Sequence, residues 1–300
     1  MKKTLKLIGK IVGGLIGLIV ILVTAILVIG YSRFNKTYDI DVNGIEVPTD
    51  EVSIARGEHL AQAVAHCGYC HGTDLSGDIV VNSGGTGIIV APNLTSGEGG
   101  IGVSYSDEDW VRALYHGVNQ QGRSVIIMPS LFFNVMSEED LTSIIAYMKT
   151  IPPVDNVLPE TKPGPLFYAL IGAGPLAEEM SARVVDHNAP FAPAPVEGET
   201  PEYGEYLVTI GQCRACHGAE LAGGQVSRSA PIGPNLTPGG EMGLWDEETF
   251  FSVIRTGTHP SGRELDSYMP WQFFSNMTDT ELRAIRAYLL SLPKLENVMP

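Results

Sequence analysis

The first pattern along the chain is an unbroken apolar run from Ile11 to Gly30, preceded by Lys2, Lys3, Lys6 and Lys10. Twenty residues at about 1.5 Å each span about 30 Å, the thickness of a bilayer's hydrocarbon core. The run exceeds the apolar core of a removable signal peptide, and no small-x-small cleavage site follows it. Residues 1–36 therefore read as an uncleaved anchor in the cytoplasmic membrane. It is single-pass, with the lysines held in the cytoplasm and everything after Tyr31 on the periplasmic or extracytoplasmic side. Residues 31–50 read as a polar tether.

Beyond residue 50 the apolar positions take up the helical period, and they do so twice. Ile54, Leu60, Ala61 and Val64 predict a helix over Ala55–His66. Its stretch Arg56-Gly57-Glu58-His59-Leu60 is answered by Tyr203-Gly204-Glu205-Tyr206-Leu207. A glycine at the same place in both helices implies close backbone contact with another helix. A second helix starts at the N-cap Ser106, followed by Asp107, Glu108 and Asp109, and its counterpart starts at Asp246; both end at a glycine, Gly117 and Gly257. A third begins at Ser137 or Thr278. It runs through Ile144, Ile145, Tyr147 and Met148, or Leu282, Ile285, Tyr288 and Leu289, and stops at Pro152 or Pro293. Between the helices, Gly72 to Gly102 is Gly-, Ser- and Asn-rich and reads as loop.

The matching positions lie 140 to 147 residues apart, so the pattern describes a duplicated unit. The expected domains are an anchor at 1–36, a first unit at 37–152, a linker at 153–198 and a second unit at 199–300. The linker carries eight prolines and an apolar patch at Pro165–Leu176, which predicts one short helix packed across the domain junction.

Each unit carries one copy of a chemical motif: Cys67-Gly68-Tyr69-Cys70-His71 and Cys213-Arg214-Ala215-Cys216-His217, which together use all four cysteines. Two cysteines three apart with a histidine directly after them form the attachment signature of a c-type haem. One helical turn separates the cysteines, which suits two vinyl groups on one porphyrin edge, and the histidine is carried under the iron. A zinc site or a redox dithiol does not need that adjacent histidine. Two covalent haem c groups are thus expected, each giving a small unit an apolar core that its own side chains could not supply.

Charge narrows the partners. The net charge is −15 over 300 residues, and the anchor holds six basic and no acidic residues. That leaves 13 Lys and Arg against 34 Asp and Glu, a net of −21 outside the membrane. Phosphate binding demands the opposite sign, so nucleic acid is excluded. An electronegative surface could steer a basic redox partner or serve solubility alone.

Taken together, these motifs resemble class I c-type cytochrome domains, and the pair resembles the membrane-anchored dihaem cytochromes c of bacterial respiratory chains and periplasmic dehydrogenases. The resemblance covers about residues 52–152 and 199–294. It implies an all-α fold, an N-terminal transmembrane helix followed by two tandem cytochrome c domains. It also implies iron ligation by His71 with Met128 and by His217 with Met269, each methionine being followed by a proline. In that family the proline carbonyl of a Gly-Pro-x-Leu accepts a hydrogen bond from the ligand histidine. Gly233-Pro234-Asn235-Leu236 matches fully, whereas the first copy has Ala91 before Pro92, Asn93 and Leu94. His/Met ligation favours ferrous iron and suits electron transfer at moderate to high potential.

Other residues weigh less. Met136 and Met277 also correspond between copies but precede a helix start and read as core; Met180, Met242 and Met299 have no counterpart. His116 and His259 do not align, which argues against a shared bis-His scheme, and His59, His66 and His187 read as surface. Arg123 and Arg263 could meet a haem propionate; Tyr105, Trp245 and Trp271 could line a pocket. The expected function is an electron relay from a membrane respiratory complex or dehydrogenase to a soluble cytochrome, cupredoxin or oxidase. The alternative is a dihaem enzyme such as a peroxidase, which needs an open iron and polar groups above it. A structural or sensing role for the haem has no positive feature in the chain.

Overall fold

The computed structural model describes residues 2–298; Met299 lies outside the described residues. Helix α1 (Lys2–Phe34) is continuous and extends beyond the apolar run at both ends. Its aliphatic side chains stand open, with Leu5 75% and Ile21 66% exposed. Among the described residues none buries its most apolar stretch. Leaving that much apolar surface in water would cost about 25 cal/mol per Å², so α1 is a membrane anchor.

The first half builds α2 (Glu51–His59), α3 (Gly68–His71), the hairpin β1 (Asp78–Ser83) and β2 (Gly87–Ala91), then α4 (Asp107–Leu114), α5 (Ser130–Phe133) and α6 (Glu138–Thr150). A connecting segment holds the two-residue β3 (Lys162–Pro163), which extends the hairpin sheet, and α7 (Pro165–Ala173). The second half repeats the order: α8 (Pro201–Ile210), α9 (Cys213–His217), the two-stranded β4 (Ala222–Gly224) and β5 (Gly233–Asn235), α10 (Glu247–Thr256), α11 (Trp271–Phe274) and α12 (Asp279–Ser291). Helices dominate, and the strands are short.

Local chemistry explains the helix ends. Ser106 and Asp109 form a reciprocal capping box on α4, and Thr278 and Glu281 form another on α12. The Ser137 and Asp246 side chains accept from the N3 amides of α6 and α10. Within each half the first and last helices cross at the shared glycine. A Cβ on Gly57 would sit 1.8 Å from the Ser143 carbonyl oxygen, and one on Gly204 would sit 2.0 Å from that of Ala284. Only a bare Cα admits this approach.

One asymmetry has a simple origin. Ten residues separate Gly57 from Cys67 but nine separate Gly204 from Cys213. The extra residue is absorbed as a π-helical turn at Leu60–Val64, so the predicted continuous helix to His66 is two segments. His66 and Gln212 then both take positive φ, 42° and 60°, just before the first cysteine.

The halves face each other through a pseudo-two-fold contact. Tyr206 on α8 donates its hydroxyl to Asp140 on α6 at 2.7 Å, and His59 on α2 lies 2.8 Å from Glu281 on α12. Tyr206 and His59 are equivalent positions, as are Asp140 and Glu281, so one contact is the image of the other. Arg56 adds a two-pronged contact to Asp140 at 2.9 and 3.3 Å. Both carboxylates are buried, as is the apolar core that continues from one half into the other.

Three expectations are corrected. Residues 31–50 are not a polar tether: 31–34 complete α1, Val42 is buried, Ile40, Ile45 and Val47 pack on the core, and Tyr38 donates its amide to Gly122. The segment Gly72–Gly102 is not all loop, because alternating Ile79, Val81, Ile89 and Ala91 support a hairpin. Helix α7 packs not across the domain junction but on α1, where a Cβ on Gly30 would meet the Tyr168 carbonyl oxygen and one on Gly172 that of Ile26.

Candidate haem sites

Each CxxCH folds as a single helical turn, α3 or α9, closed by a glycine with positive φ, Gly72 or Gly218. The turn points the histidine at the loop that crosses beneath it. His71 Nδ1 lies 2.8 Å from the Pro92 carbonyl oxygen, and His217 Nδ1 lies 2.7 Å from that of Pro234. The carbonyl can only accept, so Nδ1 carries the proton and Nε2 is left with its lone pair, the form that binds a metal. Burial pushes both imidazoles below the usual histidine range, outweighing the opposite pull of the carbonyls, and keeps them neutral.

The second loop has no room for a side chain at Gly233, where a Cβ would come within 2.7 Å of His217 Nδ1. The first half carries Ala91 at that place, at the end of β2 and buried. The cysteines are unpaired. Burial pushes the Cys67 and Cys213 thiols up to about 12 and raises Cys70 and Cys216 as well. That is the opposite of the lowered thiol of a redox dithiol. No group of three or more His, Cys, Asp or Glu is assembled for a metal ion among the described residues.

Met128 and Met269 sit on equivalent turns. The following prolines share a conformation, Pro129 at φ −86°, ψ 45° and Pro270 at φ −79°, ψ 47°, and the methionine carbonyls accept from Ser130 and Trp271. The first turn is further strapped by the connecting segment: Ile127 donates its amide to Glu179 O at 3.0 Å, and the Ser181 hydroxyl donates to Met128 O. Ile127 is held at φ 65° there.

His71, Met128, Cys67 and Cys70 line one continuous cavity of about 1700 Å³ together with His217, Met269, Cys213 and Cys216. Helical propensity alone does not reveal that the two sites share one space. Met136 is in the core and outside that lining; Met277 is equally buried but reaches the wall, as does Met242. Met180 belongs to the small core beside α7. Arg123, Arg263, Tyr105 and Trp245 line the cavity, whereas Trp271 lies against Gly257.

The histidines expected at the surface are not there. His59 is tied to Glu281, and His187 packs on the buried His116 at 3.4 Å between Nδ1 atoms. His66 lines the cavity at the junction, edge-on to Phe274 of the second half at 5.2 Å, and burial lowers it to about 4. His259 is bonded to Glu241 and Ser261.

One wall residue escaped the sequence reading. Trp110 Nε1 is buried without a hydrogen-bond partner at the cavity wall of the first half. The equivalent residue in α10 is Phe250, and that mismatch inside an otherwise faithful repeat is the signal that could have singled it out. An unpartnered donor, a glycine cradle against His217 and two oriented imidazoles fit a large apolar group with polar substituents, as haem c is.

Residues 52–148 and 199–289 match the family model described as cytochrome c oxidase, cbb3-type, subunit III. The chain belongs to this family. It is similar to the fructose dehydrogenase cytochrome subunit of Gluconobacter japonicus, 29% identical over 80% of this chain and 53% of that protein. It is also similar to a protein of Cereibacter sphaeroides named diheme cytochrome c-type, 27% identical over 81% of this chain and 86% of the other. A third relative is the cytochrome c subunit of alcohol dehydrogenase (quinone) from Gluconobacter oxydans, 33% identical over 32% of this chain and 23% of that subunit. The chain thus spans about half the length of the fructose dehydrogenase subunit. It is a haem c-binding electron-transfer cytochrome, and its own α1 supplies the membrane anchor.

Proposed function

We propose that the chain carries two haem c groups and relays electrons between a dehydrogenase or respiratory complex in or on the membrane and a soluble or oxidase acceptor. The observation that carries this reading is the shared cavity, with a CxxCH histidine and a Met-Pro turn contributed equivalently by each half. When bound, each haem supplies a one-electron couple. Cys67, Cys70, Cys213 and Cys216 hold the groups covalently. His71 and His217, through Nε2, and Met128 and Met269 would hold the irons. Irons held by all four of these side chains would leave no open site for a substrate, which favours a carrier over a peroxidase.

The remaining residues position and shield. Pro92 and Pro234 fix the imidazole planes. Trp110, Arg123 and Arg263 offer donors to propionates, and neither arginine forms an ion pair among the described residues. His66 and Phe274 bring the two halves together where the cavity is continuous. The first unit is joined directly to α1 and stands nearest the membrane, so it faces the membrane-bound partner. The second faces the soluble one, with the lysine-rich end of α1 in the cytoplasm. A net charge of −21 outside the anchor suits a basic partner.

The test is spectroscopic. The purified chain should retain two haems per polypeptide after denaturation, both low-spin, and neither reduced haem should bind carbon monoxide rapidly. Tight, fast binding at either haem would replace the relay by the enzyme. Co-purification from detergent-solubilised membranes would identify the partner.

A further inference from the structure

Helix α7 has no polar face. Residues 163–177, Pro-Gly-Pro-Leu-Phe-Tyr-Ala-Leu-Ile-Gly-Ala-Gly-Pro-Leu-Ala, include no charged side chain. A surface helix of a water-soluble domain is apolar on one stripe and polar on the other. Here Phe167 and Ile171 turn inward onto Ile89 and Met180, and the small side of the helix meets α1. The rest is neither covered nor polar: Leu166 is 50% exposed, and Ala173, Gly174 and Pro175 are exposed as well.

The partner of that surface follows from where α7 lies. Gly172 is against Ile26, and Tyr168 is against Gly30, so the two helices run antiparallel along the outer end of the apolar run. Four residues of α1 correspond to about 6 Å along its axis. If Gly30 marks the edge of the hydrocarbon, Gly172 sits about 6 Å inside it and Pro165 sits near the headgroups. That is the depth at which interfacial helices bury their apolar faces, about 5–10 Å.

A helix end placed in hydrocarbon must satisfy its last carbonyls within the protein. This one does. Arg33 of α1 donates from Nη1 to Ile171 O at 2.6 Å and to Gly172 O at 3.2 Å, and the amides of Gly174 and Leu176 both go to Leu170 O. The cation also stands at the negative end of the α7 dipole.

We infer that α7 is a second membrane contact, dipping into the outer leaflet beside α1 so that phospholipid acyl chains cover Leu166 and the Ala173–Pro175 tip. A single spanning helix would leave the first unit free to swivel. Two elements at one membrane edge, tied by Arg33, hold the unit in one orientation with the Phe34 side of its cavity toward the bilayer. The inference rests on α1 spanning the membrane.

The experiment uses the full holoprotein in phosphatidylethanolamine/phosphatidylglycerol vesicles in which a fraction of the acyl chains carries a photoactivatable diazirine, with adducts mapped by mass spectrometry. Adducts are expected on α1 and on the 163–176 peptide, several-fold above the α12 peptide of the second half, whose Leu290 is also exposed. Leu166→Asp, at a position half open already, should fold normally and reduce the α7 adducts while those on α1 persist. Labelling of α1 with α7 no higher than α12 overturns the inference and leaves the anchor standing. Absence of adducts on both overturns the anchor itself.

Discussion

Tyr206→Phe tests how the two halves are held. The variant removes one hydroxyl, which donates to the Asp140 carboxylate at 2.7 Å and accepts from the Ser137 amide at 3.3 Å. The bond to the carboxylate is buried and charge-assisted, a class that contributes about 1.5–3 kcal/mol, and the amide bond is long and adds little. Asp140 keeps its contact with Arg56, so no buried charge is stranded. We therefore expect a loss of about 2 kcal/mol, roughly a 30-fold change in the unfolding equilibrium. Asp140→Ala is more severe: it leaves Arg56, three-quarters buried, with only the exposed Glu197 as its anion and orphans the Tyr206 hydroxyl, for about 3 kcal/mol, the low end for a broken buried pair. Because both remove the same bond, the double variant should cost clearly less than the sum. Guanidinium unfolding of the holoprotein, followed in parallel by haem absorption and far-ultraviolet dichroism, measures all three. A Tyr206→Phe change within about 0.5 kcal/mol of zero, the range of an ordinary surface substitution, or strict additivity with Asp140→Ala, would refute the argument that this contact holds the junction.

Cys213→Ala together with Cys216→Ala should leave one covalent haem per chain by pyridine haemochrome assay, and retention of two would remove the second site. Met128→Ala or Met269→Ala should open one iron to carbon monoxide and abolish its near-infrared sulfur-to-iron band. Met136→Leu, volume-conserving in a core, should cost less than about 1.5 kcal/mol and leave the spectrum unchanged. Gly233→Ala places a methyl against His217, so the second haem's potential and spectrum should shift while the first haem, beside Ala91, stays as it was. Burial alone would raise the Glu281 carboxyl, but bonds from His59 and Thr278 outweigh it and hold the carboxyl below the usual range. A lowered carboxyl stabilises the fold above its unfolded pKa of about 4.3 and loses that contribution as pH falls through the folded value. The stability gap between the parent and Glu281→Gln should therefore shrink below about pH 4; a gap constant to pH 3 would contradict it.

The chain's linear pattern determined a great deal. Helix caps at Ser106, Ser137, Asp246 and Thr278 act within one turn, so they are legible without tertiary structure, and all four cap in the structure. The haem motif is equally local, since its chemistry lies in five consecutive residues. The apolar run is readable because a bilayer's thickness sets its length. The paired glycines even announced their helix crossings. What needed three dimensions was everything that depends on which surfaces meet. The strands of the hairpin in the Gly-rich segment carry β-branched residues, but their pairing with β3 and the core beneath them is a tertiary matter. His66 and His59 were expected at the surface because a lone histidine has no sequence mark of burial; the packing of the two halves sets one against Phe274 and pairs the other with Glu281. The apolar patch at 165–176 was recognised, but whether it covers a second domain or the end of α1 is a question of packing partner. Composition is silent on that, because apolar burial has no direction of its own.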